Sequence, residues 1–176
     1  KGGAVDMRAA LIAAAGSFIG SAVGTKAALM LSGQTIKTML LVILPCAAVI
    51  IMFRRNMGEA DRSHEIGRAK AAALAAVIGL LIGGYDGLFG PGTGTFAIIA
   101  FSMLMKYDLK TASGNAKILN LASNYASFIT FAAAGTIVYS VAIPAALCNI
   151  AGSYFGSHCA LTRGAKFIRP MMAAVI

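Results

Sequence analysis

Charged residues are scarce in this sequence of 176 residues. They make up 12% of the chain, whereas about 25% is usual for a soluble domain. Apolar residues make up 59% and gather in runs such as Met39–Phe53 and Ala71–Ile82, with the charges between the runs. So few charges cannot cover a soluble surface. The composition therefore predicts an all-α fold, a polytopic bundle of transmembrane helices.

Cysteine and histidine are rare, and tryptophan is absent. The three cysteines lie within apolar runs without a CxxC spacing, and the two histidines are far apart. His64-Glu65 begins like a zinc-protease helix, but Arg68 occupies the position of the second histidine. We therefore predict no disulfide, no metal site and no cofactor. Since no pairing of a nucleophile with a base is visible either, we predict that the protein is not an enzyme.

Acidic residues are few, six against fifteen Lys and Arg, which gives a net charge of +9. The basic residues lie in short segments between apolar runs, which argues against a nucleic-acid partner and favours anionic membrane lipid. Five lie in Arg54–Lys70, three in Lys106–Lys117 and three in Arg163–Arg169, and Gly135–Ser140 has none. By the positive-inside rule, the three basic segments are expected together in the cytoplasm.

Four apolar runs are long enough to cross a bilayer of about 30 Å. They lie near residues 9–31, 37–53, 117–134 and 141–161, and a further run starts at about 167. The runs 71–85 and 95–105 reach only roughly 22 and 16 Å, and GGYDGLFGPGTGT (Gly83–Thr95) lies between them. This predicts a glycine-rich broken or re-entrant segment. A hairpin keeps all the basic segments on one side, whereas one broken crossing does not, so the hairpin is favoured.

The chain contains an internal repeat, since AAGSFIGSAVGTK (Ala14–Lys26) recurs as IAGSYFGSHCALT (Ile150–Thr162) at a constant offset of 136 residues. With the hairpin, the two copies cross in opposite senses, and inverted repeats are typical of secondary transporters. The counterpart of the glycine-rich block is expected roughly 40 to 55 residues before Lys1. We therefore predict that residues 1–176 are a single transmembrane transporter domain, incomplete at the N-terminus and also at the C-terminus.

Small residues recur every four positions in the first copy of the repeat, at Gly16, Gly20 and Gly24. Such spacing permits the close approach of helix backbones in lipid. The pattern predicts helix packing, within the chain or in a homo-oligomer.

The block Gly83–Thr95 contains six glycines and one proline, and Asp86 is its only charged residue. Non-helical backbone at membrane depth is tolerated only where protein buries it or it lines a cavity. Free N–H groups and the positive end of the following helix suit an anion. An exposed connecting loop is the alternative. Asp86 could relay a coupling proton, cap a helix or pair with a lysine.

A polar stripe of about 140° runs along the predicted helix Lys117–Phe131. Its members are Lys117, Asn120, Ser123, Asn124, Ser127 and Thr130. Polar groups in membrane helices face the bundle interior or an aqueous cavity, so the stripe is a candidate wall of a pathway. Hydrogen bonding to neighbouring helices is the alternative, and Lys117 could instead extend to the membrane surface.

Three segments resemble the second half of the TauE/SafE sulfite exporter family, and within it the YfcA-like branch. They are GGYDGLFGPGTGT, NAKILNLASN (Asn115–Asn124) and GSYFGS with RGAKFIRPMM (Gly152–Met172). The resemblance implies a multi-pass permease of the bacterial inner membrane that exports sulfite or another small sulfur-containing anion by alternating access. A non-transporting membrane subunit or assembly partner is the alternative.

The resemblance also implies the residues that bind the substrate. The glycine-rich motif of the family falls on Gly84, Asp86, Gly87, Gly90, Pro91, Gly92 and Gly94, and its polar helix on Lys117, Asn120, Ser123 and Asn124. Of these, all but Gly84 and Pro91 are the expected binding residues. We expect the N–H groups of the glycine-rich segment to hold the anion, with Lys117 supplying the complementary charge.

Overall fold

The computed structural model describes residues 5–53 and 61–163, and every regular element in these ranges is helical. The helices are α1 (Met7–Met30), α2 (Gly33–Phe53), α3 (Arg68–Leu88), α4 (Thr93–Leu104), α5 (Leu109–Ala133) and α6 (Tyr139–Arg163). The predicted all-α class is confirmed. The run predicted from about residue 167 lies outside the described residues, as do most residues of the third basic segment.

The chain divides after Ala134 into two units, of which the first contains α1 to α5 and the second α6. The two copies of the repeat lie in α1 and α6, one in each unit. That residues 1–176 form a single transporter domain stays a prediction.

Helix α1 packs against α3 through glycines on both helices. A Cβ atom on Gly20 would lie 2.1 Å from the carbonyl oxygen of Leu80, and one on Gly83 would lie 2.4 Å from that of Ser17. No real Cβ atom comes so close to backbone, so the interface requires glycine at these positions. The contacts advance along both helices in the same direction, from Gly16 beside Ala76 to Gly24 beside Gly84, so α1 and α3 are parallel.

Helix α1 meets α5 through hydroxyl groups instead. Ser17 Oγ donates to the carbonyl oxygen of Leu119 at 3.2 Å, and Ser21 Oγ donates to that of Ser123 at 2.8 Å. One turn further, Thr25 Oγ1 lies 2.9 Å from Ser127 Oγ. These contacts also advance in the same direction, so α1, α3 and α5 all point the same way, and α1 packs against both of the others.

The segments before α3 and after α4 meet at one end of the bundle. The Arg62 N–H donates to the carbonyl oxygen of Lys106 at 2.9 Å, and Lys106 Nζ lies 2.5 Å from Glu65 Oε2. The pKa of Glu65 is lowered, chiefly because its carboxylate accepts a hydrogen bond from Lys106. Helix α3 therefore leaves this end and α4 returns to it, which is the hairpin that the charge distribution favours.

The same end holds the beginnings of α1 and α5. The Asp6 carboxylate accepts N–H groups from the first turn of α1, and its second oxygen accepts from Tyr107 Oη at 2.6 Å. Burial and this bond raise the pKa of Tyr107. Asp108 caps α5 in the same way. This end of the bundle also carries Arg8, Arg62, Lys106 and Lys110. We call it the basic end.

The expectation that run 71–85 is too short to cross a bilayer is wrong. Helix α3 has 21 residues, about 32 Å at 1.5 Å per residue, because it continues through the first half of the glycine-rich block. Glycine costs about 1 kcal/mol in a helix interior. Here Gly83 and Gly87 are buried against the backbone of α1, and this packing offsets their low helix propensity. The non-helical part of the glycine-rich block is therefore limited to Phe89–Gly92.

The turn between α3 and α4 lies inside the depth of the bundle. Thr25 Oγ1 donates to the carbonyl oxygen of Gly87 at 3.2 Å and contacts Ser127, so α1, α3 and α5 are level there. Helix α1 continues five residues further, to Met30, and α5 six, to Ala133, which is about 8 Å. The turn therefore stops short of the ends of both helices, as a re-entrant segment does.

Two of the described helices, α1 and α3, are long and apolar enough to cross a membrane. Large apolar side chains cover the outer surface of the first unit, among them Leu11 and Val23 on α1 and Leu121 and Phe128 on α5, all more than half exposed. Exposed apolar surface of this extent fits contact with lipid.

Candidate functional site

Two glycines with positive φ form the turn between α3 and α4. Gly90 and Gly92 both have φ +84°, a conformation that costs other residues a steric penalty. The N–H groups of Phe89 and Gly90 donate to the carbonyl oxygen of Tyr85, which ends α3. Gly92 then precedes α4 directly, without a side chain that caps the new helix. The turn thus brings the end of α3 and the positive end of α4 together.

The Asp86 carboxyl group lies between hydroxyls from two other helices. Thr93 Oγ1, on the first residue of α4, is 2.7 Å from Asp86 Oδ1. Ser123 Oγ, on α5, makes a short hydrogen bond to Asp86 Oδ2. Asp86 therefore joins α3, α4 and α5 at one point. It accepts no N–H of α4, and the described residues place no Lys or Arg within 4.0 Å of it.

Polar groups without a partner surround the beginning of α4. A Cβ atom on Gly94 would lie 3.1 Å from Asn120 Nδ2, so the absence of a side chain lets this helix approach the Asn120 amide. Among the described residues, Asn120 Oδ1 is buried without a hydrogen-bond partner, and no acceptor faces the N–H of Gly92 or Gly94. Groups of this kind can bind a ligand.

A recess with a volume of about 320 Å³ opens above the turn. Its walls come from α1, α2, α3, the turn and α5, and consist of Ala28, Leu29, Ile36, Asp86, Gly87, Leu88, Phe89, Gly90, Asn124, Ser127 and Phe131. The recess exists because the turn ends below the ends of α1 and α5. Its volume equals about ten water molecules, which is room for a small ion with part of its hydration shell.

Most of the predicted site residues come together here. Asp86 and Ser123 are hydrogen-bonded to each other, and Asn120 contacts Gly94. Asn124 lines the recess with Asp86, Gly87 and Gly90, while Gly92 lies in the turn. The two sequence motifs, separated by more than twenty residues, therefore meet at one place. That these residues bind a substrate stays a prediction.

Lys117 is the predicted site residue that does not reach the recess. Its side chain is exposed on α5, seven residues before Asn124, which is about 10 Å along the helix. The predicted stripe between these two residues is divided in the structure. Ser123 is buried, whereas Lys117 and Asn124 are exposed at the edge of the stripe.

Gly87 serves the packing of the bundle. A Cβ atom there would lie 2.2 Å from the carbonyl oxygen of Ser21. Its own carbonyl oxygen accepts a hydrogen bond from Thr25. Gly87 borders the recess, but the closeness of α1 already accounts for glycine at this position.

Two hydroxyl residues of the site, Thr93 and Thr25, were missed by the sequence reasoning, whereas Ser127 belongs to the predicted polar stripe. Thr93 binds Asp86, Ser127 lines the recess, and Thr25 contacts Ser127. Thr25 continues a spacing of four residues from Ser17 and Ser21, one position after each glycine, and this spacing was the available signal. Thr93 offered none beyond its place in the glycine-rich block.

Metal ligands do not cluster in the described ranges. Within residues 5–53 and 61–163, no group of three His, Cys, Asp or Glu could hold a metal ion. The polar groups around the turn are hydroxyls, amides and one carboxyl. They suit hydrogen bonding to a small polar or charged solute.

Comparison with known proteins assigns the whole chain to one family. The family model named "Sulfite exporter TauE/SafE" matches residues 1–176. "Probable membrane transporter protein ORF9" of Sinorhizobium is 32% identical over 166 residues, which cover 94% of this chain and 61% of that protein. A "Probable membrane transporter protein" of Haemophilus influenzae is 32% identical, covering 88% and 60% respectively.

"Probable membrane transporter protein YfcA" of Escherichia coli K12 is 29% identical over 90% of this chain and 58% of its own length. The chain thus spans about three fifths of the length of these curated relatives. No solved structure matches the chain.

Proposed function

Since the chain belongs to the sulfite exporter TauE/SafE family, we propose that it is part of a multi-pass permease of the bacterial inner membrane that exports a small anion by alternating access. The substrate is sulfite or another small sulfur-containing anion. Membership of the family makes the protein a membrane transporter, and the geometry of the turn supports the finer assignment.

The recess above the turn between α3 and α4 carries this proposal. Asn124 and Ser127 of α5 line it together with the end of α3 and with Gly90, which lies three residues before the beginning of α4. Backbone N–H groups at a helix beginning bind anions well. Discontinuous helices that meet inside the membrane are the usual substrate sites of transporters built from inverted repeats.

The position of the basic end of the bundle supports outward transport of the anion. The first turns of α1, α3 and α5 lie at that end, and the recess lies towards the other. By the positive-inside rule the basic end faces the cytoplasm. An anion that moves outward alone then gains roughly 2.3 kcal/mol per 100 mV of inside-negative potential, so export needs no ATP.

Flux of radiolabelled sulfite and thiosulfate tests the proposal, with the full-length chain in proteoliposomes. We expect the wild-type protein to carry at least one of these anions. Asn124→Leu should lower the flux by about tenfold or more, because it replaces an amide of the recess by an apolar group. Tyr125→Leu is the matched control, since Tyr125 is the next residue on α5 and its side chain is 59% exposed on the outer surface.

The rival assignment is a membrane subunit that transports nothing. The hydroxyl contacts between α1 and α5 favour it, since such bonds also hold helices together in proteins without a pathway. A wild-type protein that is well folded but carries neither anion would support the subunit and contradict the permease.

A further inference from the structure

The hydrogen-bond pattern around Asp86 can accommodate a proton on the carboxyl group. The Thr93 hydroxyl lies 2.7 Å from Asp86 Oδ1 and 2.6 Å from the carbonyl oxygen of Gly90. The Ser123 hydroxyl lies between Asp86 Oδ2 and the carbonyl oxygen of Asn120, which is 3.0 Å away. Each hydroxyl has one hydrogen but faces two acceptors.

A proton on Asp86 improves this pattern. A neutral carboxyl group donates through one oxygen to Thr93 Oγ1, whose hydrogen is then free for the carbonyl oxygen of Gly90. Ser123 meanwhile donates to the second carboxyl oxygen. Three of the four contacts then contain a hydrogen, against two when Asp86 is ionised. The same holds if the proton lies on the oxygen that faces Ser123.

The ionisable groups near Asp86 supply little compensation for a negative charge. On α3, Tyr85 turns its hydroxyl to the carbonyl oxygen of Pro91. Lys26 on α1 and Lys117 on α5 are exposed, and neither lies within 4.0 Å of Asp86. Helix α4 contributes the Thr93 hydroxyl and the positive end of its dipole.

An anion in the recess would lie beside the carboxyl group of Asp86, which is part of the recess wall. Asp86 is the only ionisable residue among the residues that line the recess. Two negative charges that share one small site inside a membrane repel each other, so the binding of one disfavours the other.

We infer that Asp86 takes up a proton when an anion occupies the recess, and that the permease moves the anion together with this proton. This inference rests on the proposed function. Binding of the proton and binding of the anion strengthen each other equally, because linkage is reciprocal. Export then depends on the pH difference as well as on the membrane potential, and one negative charge of each anion is neutralised during its passage.

Proton uptake on anion binding tests the inference directly. Thiosulfate is added to the purified full-length protein in weakly buffered detergent solution near neutral pH, with a pH indicator present. We expect proton uptake on anion binding, with one proton for each anion bound as its upper limit. Asp86→Asn should take up no proton for the thiosulfate that it binds, because an amide cannot accept a proton near neutral pH. Glu65→Gln is the control and should behave as the wild type.

Transport gives the second readout. In proteoliposomes loaded with thiosulfate and a trapped pH dye, efflux through the wild-type protein should make the interior more alkaline. Any efflux that Asp86→Asn retains should leave the dye signal unchanged and should not depend on pH.

Two results would overturn the inference. One is thiosulfate efflux through the wild type without movement of protons, which leaves the proposed function standing. The other is a folded Asp86→Asn protein that takes up as many protons for each bound anion as the wild type does. If Asp86→Asn does not fold, the wild-type dye signal and proton uptake still decide whether a proton moves. Absence of flux for both thiosulfate and sulfite would contradict the proposed function, and the coupling with it.

Discussion

The two faces of α1 use the same spacing for opposite purposes. Gly16, Gly20 and Gly24 face α3, and Ser17, Ser21 and Thr25, each one residue later, face α5. The glycine face is closed by direct contact between backbones. The hydroxyl face is a ladder of hydrogen bonds, which ends beside the recess. Two series of residues with the same four-residue spacing, offset by one position, therefore give α1 one side for close backbone packing and one side for hydrogen bonds.

This difference indicates which contacts between the helices of the first unit can rearrange. Hydroxyl groups can rotate and exchange partners, whereas helix backbones packed so closely that no Cβ atom fits between them have little room to adjust. We therefore expect α1 and α3 to move as one body and any rearrangement during transport to occur along α5 and α4. Substitutions on the two faces of α1 should separate loss of folding from loss of transport.

Gly83→Ala tests the glycine face and should have the largest effect on stability. The added Cβ atom would lie 2.4 Å from the carbonyl oxygen of Ser17, and overpacking of this kind costs about 1–3 kcal/mol or more. Gly84→Ala is the neighbouring control, since its Cβ atom would lie 3.6 Å from the nearest atom. We expect the melting temperature of the full-length protein to fall for Gly83→Ala alone. Equal effects would contradict the close packing of α1 and α3.

Lys117→Gln tests whether a residue of α5 outside the recess takes part in transport. Lys117 lies about 10 Å below Asn124 along the helix, and it is exposed. A hydrogen bond from a charged group contributes about 1.5–3 kcal/mol. If the anion contacts Lys117 during transport, loss of this bond should slow thiosulfate flux by about tenfold or more. The melting temperature should stay unchanged. Lys110→Gln, near the basic end of α5, is the control. Unchanged flux in Lys117→Gln would limit the site to the recess.

Much of this arrangement could be predicted from the sequence. The hydrophobic runs indicated the helices, the basic segments indicated the hairpin, and the glycine-rich block and the polar stripe indicated the two parts of the candidate site. The end of α3 could not be predicted, because Gly83 and Gly87 look like helix breakers until the backbone of α1 is placed against them. Contacts between helices also decide which polar residues meet, as for Thr93 and Asp86.

Ser21→Ala tests the hydroxyl face and should have a smaller effect than Gly83→Ala. Ser21 Oγ donates to the carbonyl oxygen of Ser123 at 2.8 Å and lies 2.7 Å from Ser127 Oγ. Hydrogen bonds between membrane helices contribute about 0.6 kcal/mol on average and up to about 1.7 kcal/mol. Ser17→Ala is the comparison, because its bond to Leu119 is longer, at 3.2 Å. We expect the melting temperature to fall further for Ser21→Ala than for Ser17→Ala, and the reverse order would contradict the ladder.

The ion pair between Lys106 and Glu65 lies at the basic end, away from both faces of α1, and should have the smallest effect. Its side chains are 42% and 40% exposed, so water and salt screen it. The lowered pKa of Glu65 means that its contribution is present above the ordinary value of 4.5 and is lost as the pH falls through the lowered pKa. Lys106→Gln should therefore lower the melting temperature slightly at neutral pH, and the difference from the wild type should disappear on acidification. Glu65→Gln should show the same small loss, and the double variant should lose no more than either single variant, because both remove one interaction. A large loss of thiosulfate flux in Lys106→Gln at unchanged melting temperature would instead show that the basic end takes part in transport.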